Sequence, residues 1–125
     1  MQPITVQDLN ILAKERLEDA KVLYSANRFW GAVYICGYAV EFGLKKKICN
    51  TLNRNEYPDI RDLKTHKLDV LLVLSGAEKL ISTRYKAEWS IVKKWDPEQR
   101  YSAAAVNQIN ADSMIKATDT LLGLL

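Results

Sequence analysis

The chain has 125 residues, of which 48% are hydrophobic and 26% are charged, a composition that is ordinary for one soluble globular domain. Its single histidine (His66) and two cysteines (Cys36 and Cys49) fall short of the four ligands of a typical structural zinc site. Two cysteines also exclude a disulfide scaffold, and we expect no metal and no cofactor. The net charge of +3 tolerates an acidic partner without requiring one.

The first third of the chain predicts two long helices. Residues 5–26 repeat apolar side chains at helical spacing, and Thr5 and Asp8 suit the cap and first turn of that helix. Residues 29–44 contain one charged side chain, Glu41, and are shorter than the roughly 20 residues that cross a bilayer. We interpret them as a helix buried on several sides, inside a compact monomer or beneath a homodimer or other protein partner.

Polar and charged residues follow this apolar run. The lysines at 45–47 end it and suit a helix C-terminus, because cations complement the negative end of the helix dipole. Residues 53–64 are polar and predict a loop. Thr65 is then placed to cap a helix over residues 66–74.

The remaining sequence predicts further helices and no strand. A helix is expected over residues 83–94, and Asn110 is expected to cap the last one. The whole pattern predicts an all-α fold, an antiparallel up-and-down four-helix bundle with an additional short helix. We expect one domain over residues 1–125, and the absence of a signal peptide together with two unpaired cysteines predicts a cytoplasmic protein.

Glu41 is the first candidate for a functional side chain. It falls in an apolar sector of its predicted helix, where a carboxylate has to be paired. Lys45 lies one turn later, in the favourable order for a Glu–Lys pair. Glu41 is therefore either half of a structural ion pair or a site carboxylate.

The sole histidine lies among basic residues. Arg61, Lys64 and Lys67 are within five positions of His66. Histidine exchanges a proton near neutral pH, and arginine can hold a phosphate with two parallel hydrogen bonds. Arg61 and His66 are therefore candidates for metal-independent RNA cleavage, and the alternative is a structural histidine at a helix start.

A second candidate site follows the break at Pro97. Arg100 and Tyr101 are adjacent there, and an exposed pair of this kind can bind a phosphate and stack on a base. The alternative is an anchor in which Arg100 ties the loop to the bundle through a salt bridge.

Four motifs of the chain occur in a characteristic order: residues 13–23 (AKERLEDAKVL), residues 29–48 (FWGAVYICGYAVEFGLKKKI), Thr65-His66-Lys67-Leu68, and Arg100-Tyr101. This set resembles the HEPN family (higher eukaryote and prokaryote nucleotide-binding domains). The second motif is similar to the family pattern Ala-x-Glu-x-x-Leu-Lys through Ala39, Glu41, Leu44 and Lys45.

The resemblance implies a helical bundle, often dimeric, that acts on or near nucleotides and RNA. Some members partner a minimal nucleotidyltransferase in toxin–antitoxin-like pairs. Others are metal-independent ribonucleases, toxins or defence effectors, with an arginine and a histidine separated by four to six residues, which here implies Arg61 and His66. In many active members this motif lies near the start of the last helix, where this chain has Arg100 and no following histidine.

The leading expectation is therefore a dimeric HEPN-type module without catalysis of its own. It would bind a nucleotide, RNA or a nucleotidyltransferase partner, and would not associate with a membrane. The expected ligand-binding residues are Glu41, Lys45, Lys64, Lys67, Arg100 and Tyr101. Two alternatives stay open, a ribonuclease that uses Arg61 and His66, and a non-catalytic protein-interaction bundle.

Overall fold

The fold was determined as a computed structural model, which describes residues 3–125. Within this range the chain forms six α-helices and two short 3₁₀ helices, and its only strand-like pairing is a single antiparallel bridge between Thr5 and Glu56. The all-α prediction is confirmed. The α-helices are α1 (Val6–Ser25), α2 (Phe29–Thr51), α3 (Leu68–Ser75), α4 (Glu78–Arg84), α5 (Lys86–Val92) and α6 (Gln108–Leu122).

The predicted start of α1 is confirmed in atomic detail. The Thr5 hydroxyl accepts a hydrogen bond from the Asp8 amide at 3.1 Å, and the Asp8 carboxylate accepts one from the Thr5 amide at 3.0 Å. The second bond, aided by the first, lowers the pKa of the Asp8 carboxyl. This reciprocal capping box satisfies two backbone donors that a helix start otherwise leaves free.

Helix α2 continues beyond the lysines at 45–47 and ends at Thr51, so the predicted end of this helix was wrong. Cations suit a helix C-terminus but do not end a helix. Ile48 and Cys49, one turn further on, are fully buried and keep the chain helical. The helix stops where Asn53 adopts a left-handed φ of 54°.

Helix α2 is the centre of the fold. It packs against α1, α3 and α6, and ten of its residues are buried. Its apolar surface is therefore largely covered by its own chain, as the compact-monomer interpretation expects. The homodimer stays a prediction.

One close approach fixes the segment after α5 against α2. The indole of Trp95 lies directly over Gly37, where an added Cβ would come within 2.0 Å of the ring. The indole N–H donates a hydrogen bond of 2.9 Å to the Tyr34 carbonyl, and the ring meets Tyr38 edge-on at 4.9 Å. Only glycine at position 37 leaves room for this packing.

The predicted helix over residues 66–74 begins later than expected. Its first residue is Leu68, and Lys67 occupies the N-cap position. The Thr65 hydroxyl accepts a hydrogen bond from the Lys67 amide at 3.1 Å, so it closes a turn before the helix. Gly76, with a left-handed φ of 80°, ends α3.

The last three helices also differ from the prediction. The helix expected over residues 83–94 is interrupted at Tyr85: residues 83 and 84 end α4, which begins at Glu78, and the rest corresponds to α5, which ends at Val92. Asn107 rather than Asn110 caps α6, because the Asn107 side chain accepts a hydrogen bond of 2.8 Å from the Asn110 amide. The six helices thus divide the chain more finely than the predicted four and a short one.

We expect Gly37→Ala to lower the free energy of unfolding by about 1–3 kcal/mol, since overpacking forces side chains or backbone to move. Urea denaturation measures the change. Gly31→Ala, also in α2, is the matched control, because its Cβ would meet Leu23 at an ordinary 3.4 Å. That variant should be neutral or more stable, since alanine favours helix. Equal stability of the two variants would contradict the packing argument.

Candidate functional site

A buried carboxylate joins two parts of the chain. Glu41, only 2% exposed, receives Lys45 Nζ at 3.0 Å on one carboxylate oxygen and lies 2.9 Å from His66 Nδ1 through the other. The predicted Glu41–Lys45 ion pair is confirmed. The contact with His66, 25 residues away in sequence, was not predicted.

The loop between α2 and α3 carries His66 back to α2. Its backbone pairs with residues around the start of α1: the Val6 amide donates to Asn55 O at 2.9 Å and the Tyr57 amide donates to Ile4 O at 2.8 Å. The Tyr57 hydroxyl then donates to the Leu63 carbonyl at 2.5 Å, at the end of the 3₁₀ helix Arg61–Leu63. The first two bonds hold the early part of the loop against the start of α1, and the third joins its later part to Tyr57.

Tyr57 also holds Lys45 in place. The Lys45 ammonium lies 5.3 Å from the centre of the Tyr57 ring, within the range of a cation–π contact. Burial, with a smaller contribution from nearby Cys49 and Glu41, raises the pKa of the Tyr57 hydroxyl to about 12. Tyr57 therefore stays neutral at physiological pH. Sequence reasoning missed it, because it sits in a loop without periodicity.

The same geometry orients the imidazole of His66. Nδ1 faces the Glu41 carboxylate, while the side chain as a whole is 61% exposed. When Nδ1 donates to a carboxylate, Nε2 of the neutral ring is a free acceptor, and the protonated ring presents an N–H there. His66 therefore offers solvent one nitrogen that can receive a proton or contact an anion.

The basic residues around His66 are all exposed, but they are not equivalent. Lys64 is paired with Asp59. Among residues 3–125, Arg61 and Lys67 form no side-chain hydrogen bond or ion pair, so no such bond joins Arg61 to His66 or Glu41. Arg61 and Lys67 are thus available to an external anion.

Arg100 and Tyr101 end the 3₁₀ helix Pro97–Tyr101. The Arg100 guanidinium lies 4.8 Å from the centre of the Tyr101 ring, and Tyr101 is 74% exposed. Tyr101, with a smaller contribution from Tyr34, raises the pKa of Arg100. Within the described chain Arg100 forms no ion pair, so the salt-bridge anchor was the wrong interpretation, and Trp95 holds this segment instead.

One face of α2 lies between the His66 region and the Arg100–Tyr101 pair. Tyr34, Tyr38, Glu41 and Lys45 recur every three or four residues and share a helix face. The Tyr34 and Tyr38 hydroxyls are 3.2 Å apart, and this contact, together with burial, raises the pKa of Tyr38 to about 12. This spacing is visible in the sequence, and could have identified both tyrosines as part of the site.

The two ends of this face are separated by a short distance. Arg100 lies near Tyr34, and His66 contacts Glu41. Seven residues of helix between Tyr34 and Glu41 correspond to about 10 Å along the axis. A ligand that touches both ends must therefore be larger than a single phosphate.

The cysteines are packing residues. Burial raises the pKa of the Cys36 thiol to about 11, against a smaller opposing effect of the Thr118 hydroxyl. Cys49 is also fully buried, and its pKa is raised by burial. In residues 3–125 no three His, Cys, Asp or Glu side chains are grouped so that they could hold a metal ion.

Comparison of the chain with protein-family models, with curated proteins and with solved structures finds no match. The resemblance to the HEPN family therefore rests on the four motifs alone. No helix between residues 3 and 125 combines the length and the apolar character needed to cross a membrane.

We expect Glu41→Gln to lower the free energy of unfolding by about 1–3 kcal/mol, because it removes the charge that a buried hydrogen-bonded site is built around. His66→Ala should cost less, since the imidazole is mostly exposed. Urea denaturation of both variants gives the order. A larger loss for His66→Ala would contradict the view that Glu41 is the structural centre of the site.

Both cysteines should be nearly inert in the folded protein. At pH 8 a thiol with a pKa of about 11 holds roughly a hundredfold less reactive thiolate than an ordinary one, and burial slows its modification further. Titration with a coloured disulfide reagent should detect two thiols in denaturant and almost none in native buffer. Rapid native modification of either residue would contradict the packing role.

Proposed function

We propose that this chain is a HEPN-type helical module that binds a nucleotide or a segment of RNA and performs no chemistry of its own. In this proposal the helices are arranged as an elaborated antiparallel four-helix bundle, as in the family that the motifs resemble. The ligand lies on the surface between His66 and Tyr101, with the buried Glu41 and the mostly buried Lys45 beneath it.

The observation that carries the proposal is the Glu41–His66 contact. A fully buried carboxylate fixes one imidazole nitrogen at 2.9 Å and leaves the other side of the ring in solvent. Arg61 and Lys67 lie close to His66 in sequence, are exposed, and are free of protein anions among the described residues. A positioned imidazole with uncompensated cations nearby favours a phosphate group as the ligand.

The Arg100–Tyr101 pair, at the other end of the same face of α2, favours a nucleotide over a free phosphate as the ligand. Tyr101 is exposed with Arg100 against its ring, and both groups offer planar surfaces on which a base can stack. With about 10 Å of helix between the two ends, one nucleotide or a short single strand can contact both.

The resemblance further implies a homodimer and, in a toxin–antitoxin-like setting in the cytoplasm, a minimal nucleotidyltransferase as a protein partner. Both are proposals that rest on the motifs. A complex with such an enzyme would bring a nucleotide to the surface between His66 and Tyr101.

A second candidate function is a metal-independent endoribonuclease that uses Arg61 and His66. The same Glu41–His66 hydrogen bond favours it, because a carboxylate that holds one imidazole nitrogen orients the other as a general base or acid. Arg61 would then have to move towards the phosphate to stabilise its developing charge.

Fluorescence anisotropy with a labelled single-stranded RNA in EDTA tests the binding proposal. We expect Tyr101→Ala to weaken binding at least about fivefold, since a stacked base contributes about 1–3 kcal/mol. His66→Ala and Lys67→Gln should weaken binding too, and the affinity should fall as salt rises. Lys79→Gln, an exposed change on α4, is the charge-matched control for Lys67→Gln.

The same samples decide between the two candidates. Intact RNA after long incubation with the wild type supports the binding module. RNA cleavage that disappears in His66→Ala would establish the ribonuclease instead. Absence of both RNA binding and RNA cleavage at low salt would contradict both candidates.

A further inference from the structure

A polar cleft lies on another side of α2, between α1 and the end of α6. It has a volume of about 380 Å³ and is lined in part by Asn10, Lys14, Gly43, Lys46 and Leu125. Gly43 forms part of its floor, where an added Cβ would come within 2.6 Å of Leu122. The cleft is far larger than the roughly 15 Å³ that one water requires.

Two lysines, Lys14 and Lys46, line this cleft, and the charge of Lys47 also acts on Lys46. Lys46 is partly buried and donates a hydrogen bond of 3.1 Å to the Asn10 side chain, which is neutral. Burial, followed by the charges of Lys14 and Lys47, lowers the pKa of Lys46. The protonated amine is therefore less stable here than in water.

No side-chain carboxylate of the described chain is paired with these lysines. Among residues 3–125, Lys14, Lys46 and Lys47 form no ion pair, and Glu18, one turn after Lys14, is bound to Lys21 at 3.3 Å. Asn10 satisfies one of the three donors of the Lys46 ammonium. The remaining donors and the local positive field suit an oxyanion.

We propose that this cleft is a binding site for a small phosphate-type oxyanion, held by Lys46 and Lys14. Lys46 and Lys45 are neighbours in a helix and differ by 100° in direction, so this site is separate from the face that carries His66. The proposal is independent of the nucleotide-binding function. Its ligand is inorganic phosphate, pyrophosphate or the phosphate group of a small metabolite.

Thermal unfolding and calorimetric titration test the site, with inorganic phosphate and pyrophosphate as probes and sodium chloride at equal ionic strength as the reference. Pyrophosphate should raise the melting temperature of the wild type more than chloride does, because a ligand of the folded state stabilises it. Lys46→Gln should weaken binding at least tenfold, and Lys14→Gln should weaken it severalfold.

Lys46→Gln should also change the melting temperature in a characteristic way. Since the folded site disfavours the charged amine, this variant should melt at a higher temperature than the wild type without phosphate, and should gain less when phosphate is added. A merely damaged fold would melt lower under both conditions.

Two controls isolate the cleft. Lys79→Gln removes an equal charge from α4 and should bind like the wild type. In His66→Ala the part of the phosphate response that Lys46→Gln removes should persist, because any phosphate bound at His66 is a separate event. Equal binding by Lys46→Gln and the wild type, or no response to pyrophosphate beyond that to chloride, would overturn the proposal. A response abolished by His66→Ala would assign the anion to the other face and overturn it as well.

Discussion

Burial of one carboxylate constrains much of this structure. Glu41 is the only charged side chain among residues 3–125 that the fold removes from water, and a buried carboxylate is unstable without hydrogen-bonded partners. Lys45 supplies one partner from the next turn, but the second oxygen needs a group from elsewhere in the chain. The loop after α2 supplies it by returning His66 to the middle of the helix.

Interactions within a few residues of each other were predictable from the sequence, and those across the fold were not. The Thr5–Asp8 capping box and the Glu41–Lys45 pair follow from spacing alone. The contact of His66 with Glu41 depends on the path of a loop that has no periodicity. The packing of Trp95 on Gly37 likewise depends on the path of the chain, because the two residues are 58 positions apart.

The errors at helix ends have a related cause. Asn107 and Asn110 are equally able to cap a helix, and their positions alone do not decide between them. The lysines at 45–47 suit a helix end, but two fully buried side chains beyond them add more stability than an early end would. In both cases tertiary packing selects among local solutions of similar free energy.

The backbone pairing between the start of the described chain and the loop has a dynamic consequence. The amides of Val6 and Tyr57 are bonded across the same short bridge, so each strand-like segment helps to hold the other. Detachment of residues 4–6 from the bundle would remove two backbone bonds that hold the loop, and would weaken the support of His66. The two segments should therefore open as one cooperative unit, distinct from the rigid centre of α2. The position of His66 thus depends on the first turn of α1 as well as on α2.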